Sequence, residues 1–267
     1  MRRCVFCDSP VPADATVCPV CKESIAEETL ERILPILKRP EAPEMRAMTP
    51  ISRIWGVIRR PATTYRDIGR RPEMTGPMMI IMVNAALMAL VFLTVSSKFT
   101  VNVNVNGTIV ETNVLLSGYS TPFWGTALVS IIPNMLLGII YLVFGSMFAH
   151  LAFKITGGTG NFRKTGSIVG YSMVPVIVVR LLAVVVIAAA MPGQNITSLN
   201  AWSQIVESIY TSSVWVIVDY MTTAAFFWVG FVLIFGIREA HDTSTLWAMV
   251  VSALCMIVLI WTFWQAH

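Results

Sequence analysis

Five stretches of the chain are almost wholly apolar, and polar or Gly/Pro-broken segments separate them. They run over about residues 77–97, 125–153, 168–191, 212–236 and 246–264. A helix rising about 1.5 Å per residue needs roughly 20 apolar residues to cross about 30 Å of hydrocarbon, so each run predicts a membrane-spanning helix. The second is longer than that requirement and contains Pro133, which predicts a kink or a tilt. The connections differ in character. Residues 98–121 alternate as FTVNVNVNGTIVETNV around Asn106-Gly107, the pattern of a β-hairpin with a two-residue turn. Residues 154–167, KITGGTGNFRKTGS, read as a glycine-rich basic loop, and residues 192–211 as a polar loop. Residues 237–243, IREAHDT, read as a tight charged turn.

Ahead of the first span, ISRIWGVIRRP places Ile51, Ile54, Trp55 and Ile58 at helical spacing, with Arg53, Arg59 and Arg60 flanking the stripe. Trp and Arg on a short amphipathic helix suit the headgroup layer of an anionic leaflet, where the three arginines would meet lipid phosphates. A helix packed on the end of the bundle is the other reading, and the two are compatible. Farther upstream, residues 26–49 form a linker broken by Pro35, Pro40 and Pro43, with a short helix expected over 27–34.

Composition agrees with a membrane bundle. The chain of 267 residues is 55% hydrophobic and only 13% charged, where a soluble domain has about a quarter of its residues charged. No apolar leader opens the sequence, so no cleavable signal peptide is expected. The net charge of +4 matters less than its distribution, since 13 of the 19 Lys and Arg precede residue 72. With the N-terminus cytosolic, Lys154, Arg163, Lys164 and Arg238 are also inside, and Lys98 is the lone outer cation. The positive-inside rule therefore predicts a cytosolic N-terminus and, after five spans, an outer C-terminus.

Four of the five cysteines stand in the first 21 residues, as Cys4-Val-Phe-Cys7 and Cys18-Pro-Val-Cys21. Each Cys-x-x-Cys turns two thiolates toward one point, and two such knuckles complete a tetrahedral sulfur site suited to zinc. With four sulfur ligands and no open position, the zinc would be structural and would supply most of the folding free energy of residues 1–25. A pair of disulfides is the alternative, and it needs an oxidising compartment.

Two charged residues fall inside spans: Arg180 in VIVVRLLAVVV and Asp219 in VWVIVDYMTTA. Charge at such depth is costly and normally finds a partner. The two differ in depth by about 7 Å of helix rise, within reach of an Arg side chain. We read them as a structural ion pair; a polar permeation path and simple snorkelling are the alternatives. Asn84 and Asn134 suggest interhelical hydrogen bonds, and His150 a solvated interfacial residue. The GGTGNFRKTG segment lacks Walker spacing and follows a membrane helix, so Arg163 and Lys164 are read as headgroup contacts, not nucleotide ligands. No metalloprotease or serine-hydrolase motif is present, and no enzymatic activity is expected.

The segment from Pro50 through Trp55 to Pro61-Ala-Thr-Thr-Tyr65, and the run GGTGNFRKTGSIVGYSMVP, resemble the Yip family of Ypt/Rab-interacting membrane proteins, in its prokaryotic branch. The resemblance covers about residues 50–264 and implies a five-span bundle with its N-terminus inside. The Asp-Leu-Tyr-Gly-Pro signature of eukaryotic members is absent, with Met74-Thr-Gly-Pro77 at most a remnant of it, so the resemblance leaves Rab binding open. The sequence thus predicts an all-α integral membrane protein: a zinc ribbon over 1–25, a linker over 26–49 and a five-helix membrane domain over 50–267 with an outer hairpin. A membrane scaffold whose zinc ribbon recruits a cytosolic protein is the favoured function. Its partners would be the bilayer, that protein and further copies or subunits, but not nucleic acid. A transporter of a small solute, ion or lipid using Arg180 and Asp219 is the alternative.

Overall fold

The computed structural model describes residues 2–3, 7, 9–11, 18–21, 47–118, 120–155, 160–196, 207–241 and 243–265. Cys4, the helix expected over 27–34 and nearly all of the linker lie outside these residues. So does the glycine-rich turn at 156–159.

Two short helices precede the spans. Pro50 and Pro61 each open one, at the position where a missing N–H costs nothing: α1 is Pro50–Arg59 and α2 is Pro61–Arg70. Thr49 caps α1 by accepting from the Ser52 amide at 3.3 Å. Five helical stretches that follow are long and apolar enough to cross a membrane. They are α3 (Thr75–Ser96), α4 (Ser120–Ile155), α5 with α6 (Phe162–Ser172 and Val174–Ala190), α7 (Ser213–His241) and α8 (Thr245–Gln265).

Three boundaries differ from the sequence expectation. The third span is already helical at Phe162, because Asn161 caps it by accepting from the Lys164 amide at 2.9 Å. The basic loop is therefore shorter than expected, and Arg163 and Lys164 stand on the first helical turn. The same span is interrupted at Met173, just before Pro175, whose ring cannot continue the hydrogen-bond ladder. Finally, the charged turn expected over 237–243 is helical through His241 as the end of α7. Pro133 lies inside one continuous 36-residue helix, which at about 54 Å is far longer than the hydrocarbon is thick.

The hairpin forms as the alternation predicts. Strands β3 (Phe99–Val105) and β4 (Thr108–Asn113) pair antiparallel, with Val105 opposite Thr108. Asn106 and Gly107 both take positive φ, 53° and 87°, as a tight hairpin turn with the native twist requires. A strand not expected from the sequence, β5 (Gln194–Ile196), joins β3 in parallel. Its short polar run carries no periodicity long enough to read.

Apolar contacts gather at two levels. Under the sheet, Phe99, Val114, Ile187, Met191, Ile196, Ile209 and Val214 are buried together. At the other end, Val57, Tyr65 and Ile68 of α1 and α2 join Ile168, Tyr171, Phe235, Ile237 and Val251 of the spans. The α4 span is the least enclosed, only 11% of its apolar window being buried. Lipid would cover its large exposed side chains, among them Leu128, Ile132, Phe144 and Leu151.

Helix α3 meets α5 where Gly170 lies against Pro77. A Cβ on Gly170 would come within 2.5 Å of the Pro77 ring. Gly170→Ala should therefore lower stability by about 1–3 kcal/mol, the ordinary cost of overpacking. Gly125→Ala, whose added Cβ meets nothing within 4 Å, is the control. Thermal unfolding in detergent compares the two, and equal transition temperatures would contradict the close packing.

Candidate functional site

The densest polar site lies where α1 and α2 fold back on the spans. Arg53, on the face of α1 turned inward, is only 3% exposed. Its Nε donates to Asp67 Oδ2 at 2.8 Å, and its Nη2 approaches the same oxygen at 2.8 Å. Its Nη1 lies 3.2 Å from Glu73 Oε1, in the segment joining α2 to α3. The Tyr171 hydroxyl, from the third span, donates to that same Glu73 oxygen. The Glu73 amide donates to Ser167 Oγ at 3.4 Å. One cation thus ties α1, α2, the segment before α3 and α5 together.

Arg53 is therefore not the headgroup contact the amphipathic pattern suggested. Two carboxylates, 14 and 20 residues downstream in sequence, take the charge instead. Burial pulls the Arg53 pKa down, but the hydrogen bonds and charges of Asp67 and then Tyr171 together outweigh it, and the net shift is upward. Beside the network, Tyr65 is fully buried with its hydroxyl 2.8 Å from Ser172 Oγ. Burial raises its pKa against the opposing hydrogen bond with Ser172, so the phenol stays protonated.

The outward face of α1 behaves as expected of an interfacial helix. Ile51 and Trp55 are 68% and 55% exposed, and the Arg59 guanidinium sits 4.5 Å from the Trp55 ring centroid. Arg60 and Arg163 are exposed and Lys164 half-buried. One face of α1 thus packs on the bundle, and the other carries the exposed Trp and Arg of the amphipathic pattern.

In the spans, Arg180 of α6 donates through Nη1 to Asn84 Oδ1 of α3. Among the ion pairs of the described residues, none joins Arg180 to Asp219. Depth accounts for the choice. Counted from the sheet end of each helix, Arg180 and Asn84 differ by about 3 Å of rise and Arg180 and Asp219 by about 6 Å. Asp219 is buried in α7, and Thr223 Oγ1 donates to its backbone carbonyl at 2.9 Å. Asn134 does not bridge helices, because its Nδ2 donates to the Ser130 carbonyl of its own helix. His150 Nδ1 lies 3.2 Å from Thr165 Oγ1, so its partner is a side chain of the third span.

Sequence reading missed two further residues. Arg238 is 1% exposed near the end of α7, with Nη1 3.4 Å from Thr245 Oγ1 and Nη2 3.8 Å from Glu239. Ser252 of α8 donates to the Gly230 carbonyl of α7, a small-residue contact that lets the last two spans approach closely.

At the N-terminus, the Sγ atoms of Cys7, Cys18 and Cys21 all lie within 4.8 Å of one another. Cys7 and Cys18 are 3.6 Å apart. That is far beyond the ~2.05 Å of a disulfide and close to the ~3.8 Å between sulfurs on one tetrahedral zinc at Zn–S ~2.3 Å. Cys18 and Val11 form the small buried centre of this head, against which Cys7 and Cys21 pack. A two-residue ladder pairs β1 (Arg2–Arg3) with β2 (Pro10–Val11). Hydrogen bonding with Ser9 lowers the Cys7 pKa to about 6, favouring the thiolate that a metal takes. These cysteines fit a metal ion, which would cross-link the segments that carry them. The fourth expected ligand, Cys4, is outside the described residues.

Three outcomes follow from this geometry. Asp67→Ala should strand the buried Arg53 charge and destabilise the protein by about 3–5 kcal/mol, whereas replacing both residues with Leu should cost much less. Unfolding of the detergent-purified variants measures that asymmetry. A double-mutant cycle should give Asn84 and Arg180 a coupling of about 1 kcal/mol, with Arg180 and Asp219 near zero. Elemental analysis of the full chain should find about one zinc per chain, with Cys7→Ser and Cys18→Ser each losing it.

Comparison with curated proteins and with solved structures returns no significant match. The family model for the Yip1 domain matches residues 55–265, from Trp55 on α1 through the end of α8. The match takes in the five spans, α2 and the second half of α1, and the chain is a multi-pass membrane protein belonging to the Yip1 domain family.

Proposed function

We propose that this protein is a non-enzymatic membrane scaffold, in which the bundle anchors and organises the bilayer and a cytosolic zinc-bound head recruits a partner protein. The observation that carries this reading is the Arg53–Asp67–Glu73–Tyr171 network. It clamps α1 and α2 onto the bundle, so the chain enters the membrane domain from a fixed platform. The four cysteines, Cys4 included, close the head around structural zinc. The N-terminus is cytosolic and the C-terminus outside, as the Lys and Arg asymmetry favours. The mid-bundle polar contact, Arg180 with Asn84, serves helix assembly.

Two measurements test this on the full-length chain. Impermeant thiol labelling in sealed cells should reach single-cysteine probes beside Asn106 and Asn195, and should not reach one at position 40. Labelling at position 40 would reverse the orientation. Site-specific crosslinking from the head should capture a discrete protein in wild type and lose it in the Cys4, Cys7, Cys18, Cys21→Ser variant, at equal membrane abundance. If crosslinking is unchanged while proteoliposome flux of an ion or lipid is abolished by Arg180→Leu, the transport reading replaces the scaffold.

A further inference from the structure

At the corner between α1 and α2, a groove of about 390 Å³ is walled by Ile58, Arg59, Arg60, Ala62 and Thr63 and closed by Phe231 of α7. Its two ends differ in chemistry. Arg59 and Arg60 are both exposed, and among the described residues neither forms an ion pair. The nearest acid on α2 is Asp67, and Arg53 already holds it. The first turn of α2 contains no acid, and the hydroxyls of Thr63 and Thr64 are turned back onto the Arg60 carbonyl at 3.0 and 2.9 Å. Among the described residues, no acidic side chain pairs with this end.

The other end is apolar. Phe231 is 39% exposed and lies ten residues before the end of α7 at His241. A wholly soluble anion has no use for such a wall. A molecule with a negative head and an apolar tail matches both ends.

We propose that this groove is a binding site for one anionic phospholipid, its phosphate between Arg59 and Arg60 and an acyl chain along Ile58, Ala62 and Phe231. The stacking of Arg59 on Trp55 orients one guanidinium at the polar end. The network through Arg53 fixes the helix that carries both arginines. The site differs from a diffuse basic patch in requiring the apolar wall as well as the charge. It is independent of the scaffold reading, since it concerns the bundle and not the head.

The test is native mass spectrometry of the full chain released from nanodiscs of phosphatidylcholine and phosphatidylglycerol in equal parts. One phosphatidylglycerol should be retained per chain. Its preference over phosphatidylcholine should fall about fivefold with Arg60→Gln and again with Arg59→Gln, the factor expected for each basic residue at an anionic surface. Ala62→Phe, which fills the groove and leaves both arginines, should also abolish retention. Circular dichroism and thermal unfolding confirm that each variant is folded. Retention unchanged in Ala62→Phe would reduce the site to a diffuse basic surface and overturn the proposal. So would equal retention of the two lipids, or displacement of the bound lipid by millimolar inorganic phosphate.

Discussion

Arg53 is a cation taken out of water and satisfied by groups from three other parts of the chain, and the arrangement of the bundle's N-terminal end depends on it. Asp67 holds it from α2, Glu73 from the segment leading into α3, and Tyr171 reaches Glu73 from the third span. Each contact also limits the others. Asp67 fixes the angle between α1 and α2, and Glu73 can receive Arg53 and Tyr171 together only if the third span packs beside α3. A buried ion network of this kind adds little net stability over a well-packed apolar core, but breaking one member leaves charge uncompensated. Its consequence is registration: two helices that could drift on a membrane surface are held in one position relative to the spans.

Above that end, helices in lipid lack a hydrophobic drive toward one another and associate through close packing and polar contacts. The structure follows this logic at each contact. Gly170 lets α5 settle against Pro77 of α3. Ser252 reaches the Gly230 backbone to join α8 to α7. Arg180 spends its charge on Asn84, joining α6 to α3. At the far end, the three-stranded sheet seals the helix ends over an apolar cluster of its own. Glu111 is exposed there, with its pKa lowered by hydrogen bonds first from Thr100 and then from Asn195, which lie on the two strands other than its own.

The legible parts of the fold were those encoded by local pattern. Five apolar runs specified five spans, the Asn106-Gly107 turn specified the hairpin, and Cys-x-x-Cys spacing specified where a metal head would lie. Partners distant in sequence were not legible. Arg53 flanks an apolar stripe and shares its helix with Arg59, so nothing local distinguishes the buried guanidinium from the exposed one. Gly56, one turn after Arg53, was the available hint, because a small residue beside a charge marks a tightly packed helix face. Its neighbour is Thr64 of α2. The Asn84 partner of Arg180 was not legible for a related reason. Two opposite charges on consecutive spans suggested an ion pair, but a neutral amide on α3 lies nearer in depth. Breaks and caps within the third span depend on Asn161 and Pro175, which a hydropathy run averages away.

Burial also changes how the charge asymmetry should be weighed. The positive-inside argument counts Lys and Arg because hydrated cations resist translocation, yet Arg53 and Arg238 are both sequestered in the folded protein. Their burial does not remove them from the argument, because orientation is set while the chain is inserting and before such pairs close. Even without them, one side keeps Arg59, Arg60, Arg66, Arg70, Arg71, Arg163 and Lys164, and the other has only Lys98. Lys98 in turn donates to the Ala188 carbonyl at 2.5 Å, which ties the first span's end to the third's. The cations thus divide by placement. Those buried at the N-terminal end hold helices in register, and others, such as Arg59 and Arg60, stay exposed there.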